Sequence, residues 1–132
     1  MVDNHLHVGQ FEELYYDPCE TLQIVKDKGI TEAVYSSTTS AKKDVEHDEV
    51  YSEIATAVSV YPPASFKPYF WLVPSYLIKN GLGKKIMIGS DFPITHYWAT
   101  HYQNKKNITL EEQYQEDIEM MKKFEVLLTV YP

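Results

Sequence analysis

No arginine occurs among the 132 residues, and every one of the twelve basic side chains is lysine. Nineteen acidic residues stand against them, for a net charge of −7. A nucleic-acid partner needs a positive footprint, and a phosphate or carboxylate clamp is usually built on a guanidinium fork, so both are disfavoured. Cysteine is nearly absent too. With Cys19 alone, an intrachain disulfide and a multi-cysteine zinc site are excluded, and any metal must be held by His, Asp or Glu. Long apolar runs are missing: Tyr69 to Pro74 falls far short of the ~20 residues that span a bilayer, and Met-Val-Asp-Asn-His has no signal-peptide pattern. The expectation is one cytoplasmic domain over 1–132 with no membrane partner. Asn107-Ile108-Thr109 fits the glycosylation pattern by chance alone.

What is present alternates between strand and helix signals. Val2 to Val8 predicts a strand, with Asp3, His5 and His7 on one face and Asn4, Leu6 and Val8 on the other. Asp17-Pro18-Cys19-Glu20 predicts a helix start, with Asp17 as N-cap, and Gly29 marks its end; Leu22 and Val25 face inward. A second strand is expected over Ile30 to Tyr35, then a Ser/Thr-rich loop. A helix follows from about Asp44 to Tyr61, with Tyr51, Ile54, Ala55, Val58 and Tyr61 inward. Phe66 to Val73 reads as a third strand, followed by a turn or two of helix over Ser75 to Asn80. Lys85 to Gly89 reads as a fourth strand buried on both faces. A long loop leads to a capping box at Thr109 and Glu112 and a last helix from Leu110 to about Leu128, with Tyr114, Ile118, Met121 and Leu128 inward. The pattern predicts an α/β fold with a parallel sheet.

His5 and His7 carry the strongest chemical signal. Two imidazoles two residues apart on a strand end project side by side and can ligate one divalent ion. They sit in Asp3-Asn4-His5-Leu6-His7-Val8-Gly9, and Gly89-Ser90-Asp91-Phe92-Pro93 follows the late apolar strand. With those two stretches the sequence resembles the amidohydrolase superfamily of metal-dependent hydrolases, in the branch that includes the carboxymuconate-semialdehyde decarboxylase-like enzymes. The first stretch is similar to that family's first-strand metal motif, Lys85 to Pro93 to its eighth-strand motif, and Phe66 to Pro74 to its third strand.

The resemblance implies a (β/α)8, or TIM, barrel with its site at the C-terminal ends of the strands. It implies a divalent metal, with zinc the expected ion, held by His5 and His7. Asp91 would ligate the ion as well, or act as the catalytic base that takes a proton from water. The resemblance covers both ends of the barrel but not its middle, because about a dozen residues separate the third strand from the eighth-strand motif. About four β/α units fit in the chain, so the expected architecture is a partial, half-barrel arrangement; the competing one is a four-stranded open α/β sheet. Exposed edges on a half-barrel predict a homodimer that closes the ring.

The remaining histidines divide. His47 reads as a solvated helix residue, and Glu12 and Glu13 as solvated too. His96, Tyr97, Trp98 and His101 lie in the loop after Asp91, which suits either a substrate-binding lid over the strand ends or a cover for a sheet edge or subunit contact. The functional expectation is a metal-dependent hydrolase acting on a small-molecule carbonyl or carboxylate substrate through metal-activated water. The alternative is a non-catalytic shortened relative with a degenerate metal or ligand site.

Overall fold

The computed structural model describes residues 1–39, 47–60 and 87–130. The predicted third strand at Phe66 to Val73, the segment Ser75 to Asn80, and Lys85 and Ile86 lie outside them. Among the described residues, three strands and four helices run in the order β1 (Val2–Phe11), β2 (Leu14–Tyr16), α1 (Pro18–Asp27), β3 (Glu32–Ser37), α2 (His47–Val60), α3 (Ile94–Tyr102) and α4 (Leu110–Val130).

The fold is α/β, as the alternation of signals predicts, but the sheet is mixed. Its order is β2-β1-β3, with β1 parallel to β3 and antiparallel to β2. The hairpin was not expected. β1 continues past Val8 to Phe11, and Glu12 takes the left-handed conformation (φ 52°) that turns the chain into β2. A second departure lies inside β1, where the register against β3 slips between Asp3 and Leu6. A bulge of this kind breaks the two-residue alternation. Asp3 is therefore fully buried, away from the histidine face predicted for it, and Leu6 and Val8 keep their places in the core.

Met87 to Phe92 runs beside β1. The N–H of Asn4 donates to Ile88 O at 2.9 Å, that of Asp91 to His5 O at 2.7 Å, and that of His7 to Phe92 O at 2.8 Å. β3 occupies the other edge of β1 over these residues, so this stretch flanks the edge opposite β3. Its pairing amounts to one parallel bridge, Leu6 with Phe92. Met87 is exposed, which overturns the expectation of burial on both faces.

The helices obey their sequence signals at the ends. Asp17 caps α1, its Oδ2 accepting from Glu20 N at 2.9 Å, with Pro18 in the first turn. Thr109 and Glu112 exchange reciprocal 3.1 Å bonds at the start of α4. Leu22 and Val25 of α1 meet Tyr114, Ile118 and Met121 of α4 in the cluster under β1. In α2, Ala55 is exposed and Glu53 buried, the reverse of the apolar reading; the side chains of Tyr51, Ile54 and Val58 lie outside the described residues. The segment read as a loop over Ile94 to Tyr102 is helical. No helix among the described residues is long and apolar enough to cross a membrane.

Candidate metal centre

β1 and the loop before α3 bring His5, His7 and Asp91 together. His5 and His7 share a face of the strand after the bulge, and their rings meet edge to face with centroids 4.6 Å apart. Asp91 comes from 84 residues further along the chain, seated by the backbone bonds that dock its loop on β1. Gly89 makes that docking possible, because a Cβ there would collide with the Cβ and backbone N of His5. Asp91 itself adopts φ 64°, a left-handed conformation uncommon outside glycine.

Three donor atoms form a nearly equilateral triangle. His7 Nε2 lies 3.1 Å from His5 Nε2 and 3.0 Å from Asp91 Oδ1, and His5 Nε2 lies 3.1 Å from the same oxygen. All three side chains are mostly buried, with exposures of 17%, 16% and 24%. Two neutral imidazoles bring at most two Nε2 protons to these three contacts. If both rings donate to the carboxylate, their N–H groups converge on one oxygen and the His5–His7 contact carries no hydrogen bond; if one ring donates to the other, a contact to Asp91 goes without a proton. A cation held by the three atoms would instead accept a lone pair from every corner. The size also fits: bonds of ~2.1 Å place neighbouring ligands about 3.0 Å apart in octahedral geometry and about 3.4 Å apart in tetrahedral geometry.

The surroundings suit ligation. Ser36 Oγ on β3 lies 3.0 Å from His7 Nδ1, so the ring is gripped on the side away from the triangle, the usual support for a ligating histidine. Burial pushes the Asp91 carboxyl up, but hydrogen bonds from His5 and His7 outweigh it and hold the group below the ordinary carboxylate range. Asp91 is thus a carboxylate, as a ligand must be. Two imidazoles and one carboxylate suit zinc, iron(II) and manganese alike, so the donor set does not single out zinc.

The four residues of the predicted lid are divided by α3. Successive helical positions diverge by about 100°, so His96, Tyr97 and Trp98 cannot share a face, whereas Tyr97 and His101 are one turn apart. The His96 ring is held between Tyr16 OH at 3.0 Å and Ile108 O at 3.1 Å. Since the carbonyl can only accept, Nε2 carries the proton and Nδ1 accepts from the tyrosine; burial lowers the pKa of this ring. His101 stacks on Tyr97 at 3.9 Å and pairs with Glu13, which is exposed to solvent as expected. Trp98 is half exposed and lies against Tyr102. The side chain of His47 lies outside the described residues.

Two polar clusters have no counterpart in the sequence reading. Glu53, buried between α2 and the strand ends, accepts from Ser37 Oγ at 2.5 Å, Thr39 Oγ1 at 2.9 Å and Tyr15 OH at 3.2 Å. It borders a cavity of about 250 Å³ that Asp17, Glu49 and Thr56 also line. Asp3 is the second: burial raises its pKa, against hydrogen bonds from Ser90 and Tyr114 that lower it. The motif Asp-x-His-x-His held a signal for Asp3, since an acidic residue at a predicted strand start needs a partner if it is buried. No family model, curated protein or solved structure matches the chain.

Proposed function

We propose that this protein is a metal-dependent hydrolase of the amidohydrolase type, acting on a small carbonyl or carboxylate compound. The observation that supports it most is the triangle of His5 Nε2, His7 Nε2 and Asp91 Oδ1, whose sides of 3.0 to 3.1 Å match the ligand spacing around a single ion. A divalent ion held there supplies Lewis-acid polarisation of a carbonyl and lowers the pKa of water to around 7. His5 and His7 would hold the ion through Nε2, and Ser36 keeps the His7 ring from turning. Asp91 would hold the third corner through Oδ1, and its second oxygen would be left to take a proton from water. The mostly buried setting strengthens each of these interactions by excluding bulk solvent.

A site of three protein ligands would be of the number typical of catalytic rather than structural metal centres. The finer architecture proposed is a half-barrel: Met87 to Phe92, β1 and β3 stand in the order that the first part of a barrel requires, and a second copy of the chain would close the ring. Elemental analysis and native mass spectrometry of the purified protein test the function. One divalent ion per chain is expected, with hydrolysis of small amide, ester or lactone substrates that chelation abolishes. Protein that binds no ion after incubation with zinc, iron(II) or manganese overturns the proposal; one ion bound without turnover reduces it to a metal-binding relative without catalysis.

A further inference from the structure

Asp3 opens the Asp-x-His-x-His run, yet it is neither a member of the triangle nor a residue that belongs by polarity in the core where it is buried. Its carboxylate collects four hydrogen bonds from three separate parts of the chain. Ser90 donates from its backbone N at 2.9 Å and from Oγ at 2.6 Å, Tyr114 OH donates from α4 at 2.8 Å, and the N–H of His5 donates at 3.2 Å. Ser90 Oγ in turn accepts from Phe92 N at 3.0 Å. The residues on both sides of Asp91 are therefore tied to one buried carboxylate, directly at Ser90 and through the serine hydroxyl at Phe92. Asp91, between them, is the residue held at φ 64°, a conformation that persists only where the neighbouring structure enforces it.

We propose that Asp3 is the positioning residue of the metal centre. It holds His5 through the backbone N–H and holds Asp91 by clamping both of its neighbours, while Tyr114 braces the carboxylate from behind. The inference rests on the metal-centre reading of His5, His7 and Asp91. It assigns the first residue of the motif a task distinct from ligation: keeping a left-handed aspartate aimed at two histidines on another strand. Supports of this kind, one step removed from the ion, typically change metal affinity by roughly 10- to 100-fold when removed.

The test is titration of the metal-free protein with Co²⁺ alone, read through its visible absorption bands, on the unaltered chain and on Asp3→Asn, Ser90→Ala and Tyr114→Phe. Thermal melting of each metal-free protein is measured alongside. Asp3→Asn and Ser90→Ala are expected to weaken Co²⁺ binding roughly 10- to 100-fold and to shift the bands, because the ligand triangle is distorted. Tyr114→Phe, which leaves the serine and His5 bonds in place, is expected to do less. A purely structural Asp3 would lower the melting temperature and leave the bands and affinity of the folded protein unchanged, and that result overturns the inference. If Asp3→Asn does not fold, Ser90→Ala decides by the same criterion. Absence of Co²⁺ binding by the unaltered chain overturns the metal centre and this inference together, whereas normal binding there with unaffected variants overturns this inference alone.

Discussion

Two pairs of histidines sit on different elements, and their fates differ. His5 and His7, two apart on β1, meet edge to face and aim the same ring atom at one carboxylate oxygen. His96 and His101, five apart on α3, are each occupied by separate partners: Tyr16 and Ile108 for the first, Glu13 and the Tyr97 ring for the second. A strand repeats its direction every second residue, whereas five helical steps leave two side chains about 140° out of line. Sequence proximity of histidines thus predicts a shared ligand only once the element is known. On α3 the same side chains become fasteners that hold the helix to β2, to the hairpin turn and to the loop before α4.

The sharpest break of this contrast is His5→Ala combined with His7→Ala. Loss of two of three ligands is expected to reduce divalent-metal affinity by more than about 100-fold in a titration, exceeding the effect of any supporting residue. The metal-induced rise in melting temperature should vanish with it. Gly89→Ala comes next, because its new Cβ meets the backbone of His5. Overpacking of that kind costs about 1 to 3 kcal/mol in denaturant unfolding and should also weaken metal binding, since the loop carrying Asp91 must move.

Asp117 gives a pH-dependent prediction on the helical side. It is bonded to Thr95 and Gln113, and burial pushes its pKa up to about 7 from an ordinary 3.8. The unfolded chain gives up this proton first as pH rises from about 4, so the folded state binds more protons between the two values. Stability therefore falls as pH rises through that window and levels off above about 7. Asp117→Asn should raise the melting temperature at pH 8, by a stabilisation of order 1 to 3 kcal/mol, and make no difference below pH 4. Equal gains at both pH values would break the assignment. The smallest effect expected is His96→Ala, which leaves the buried Tyr16 hydroxyl without its ring partner and costs on the order of 1 kcal/mol. Its metal affinity should match that of the unaltered chain; a large loss would move His96 into the centre and erase the contrast between the two pairs.

These differences also mark how far the sequence could be read. The cap at Asp17, the capping box at Thr109 and Glu112, the inward Leu22 and Val25 of α1 and the inward Tyr114, Ile118 and Met121 of α4 are local features, and they appear where the pattern places them; the side chain of Leu128 lies outside the described residues. The face shared by His5 and His7 follows from strand periodicity as well. Asp3 escapes the same rule because a bulge changes the phase of β1, and nothing in a single strand's sequence announces a bulge that is defined by its neighbour's register. The helix α3 leaves little trace in the sequence because its residues, rich in aromatic and β-branched types and without a capping side chain at Pro93, have weak intrinsic helix preference. Glu53 was invisible for a related reason: its partners come from β2, from β3 and from the residues just after it, so only the assembled fold explains its burial.

The bonds that join residues 3 to 7 with residues 88 to 92 have a kinetic consequence. Each closes a loop of more than eighty residues, so bringing His5, His7 and Asp91 together is a long-range event. Closing a loop of that length costs a few kcal/mol of chain entropy before any contact rewards it, and pairings of such long range slow folding. An ion with affinity for the assembled triangle therefore acts chiefly on the return journey. It is expected to slow unfolding by holding these two distant segments together, and to change the folding rate little if they meet after the rate-limiting step.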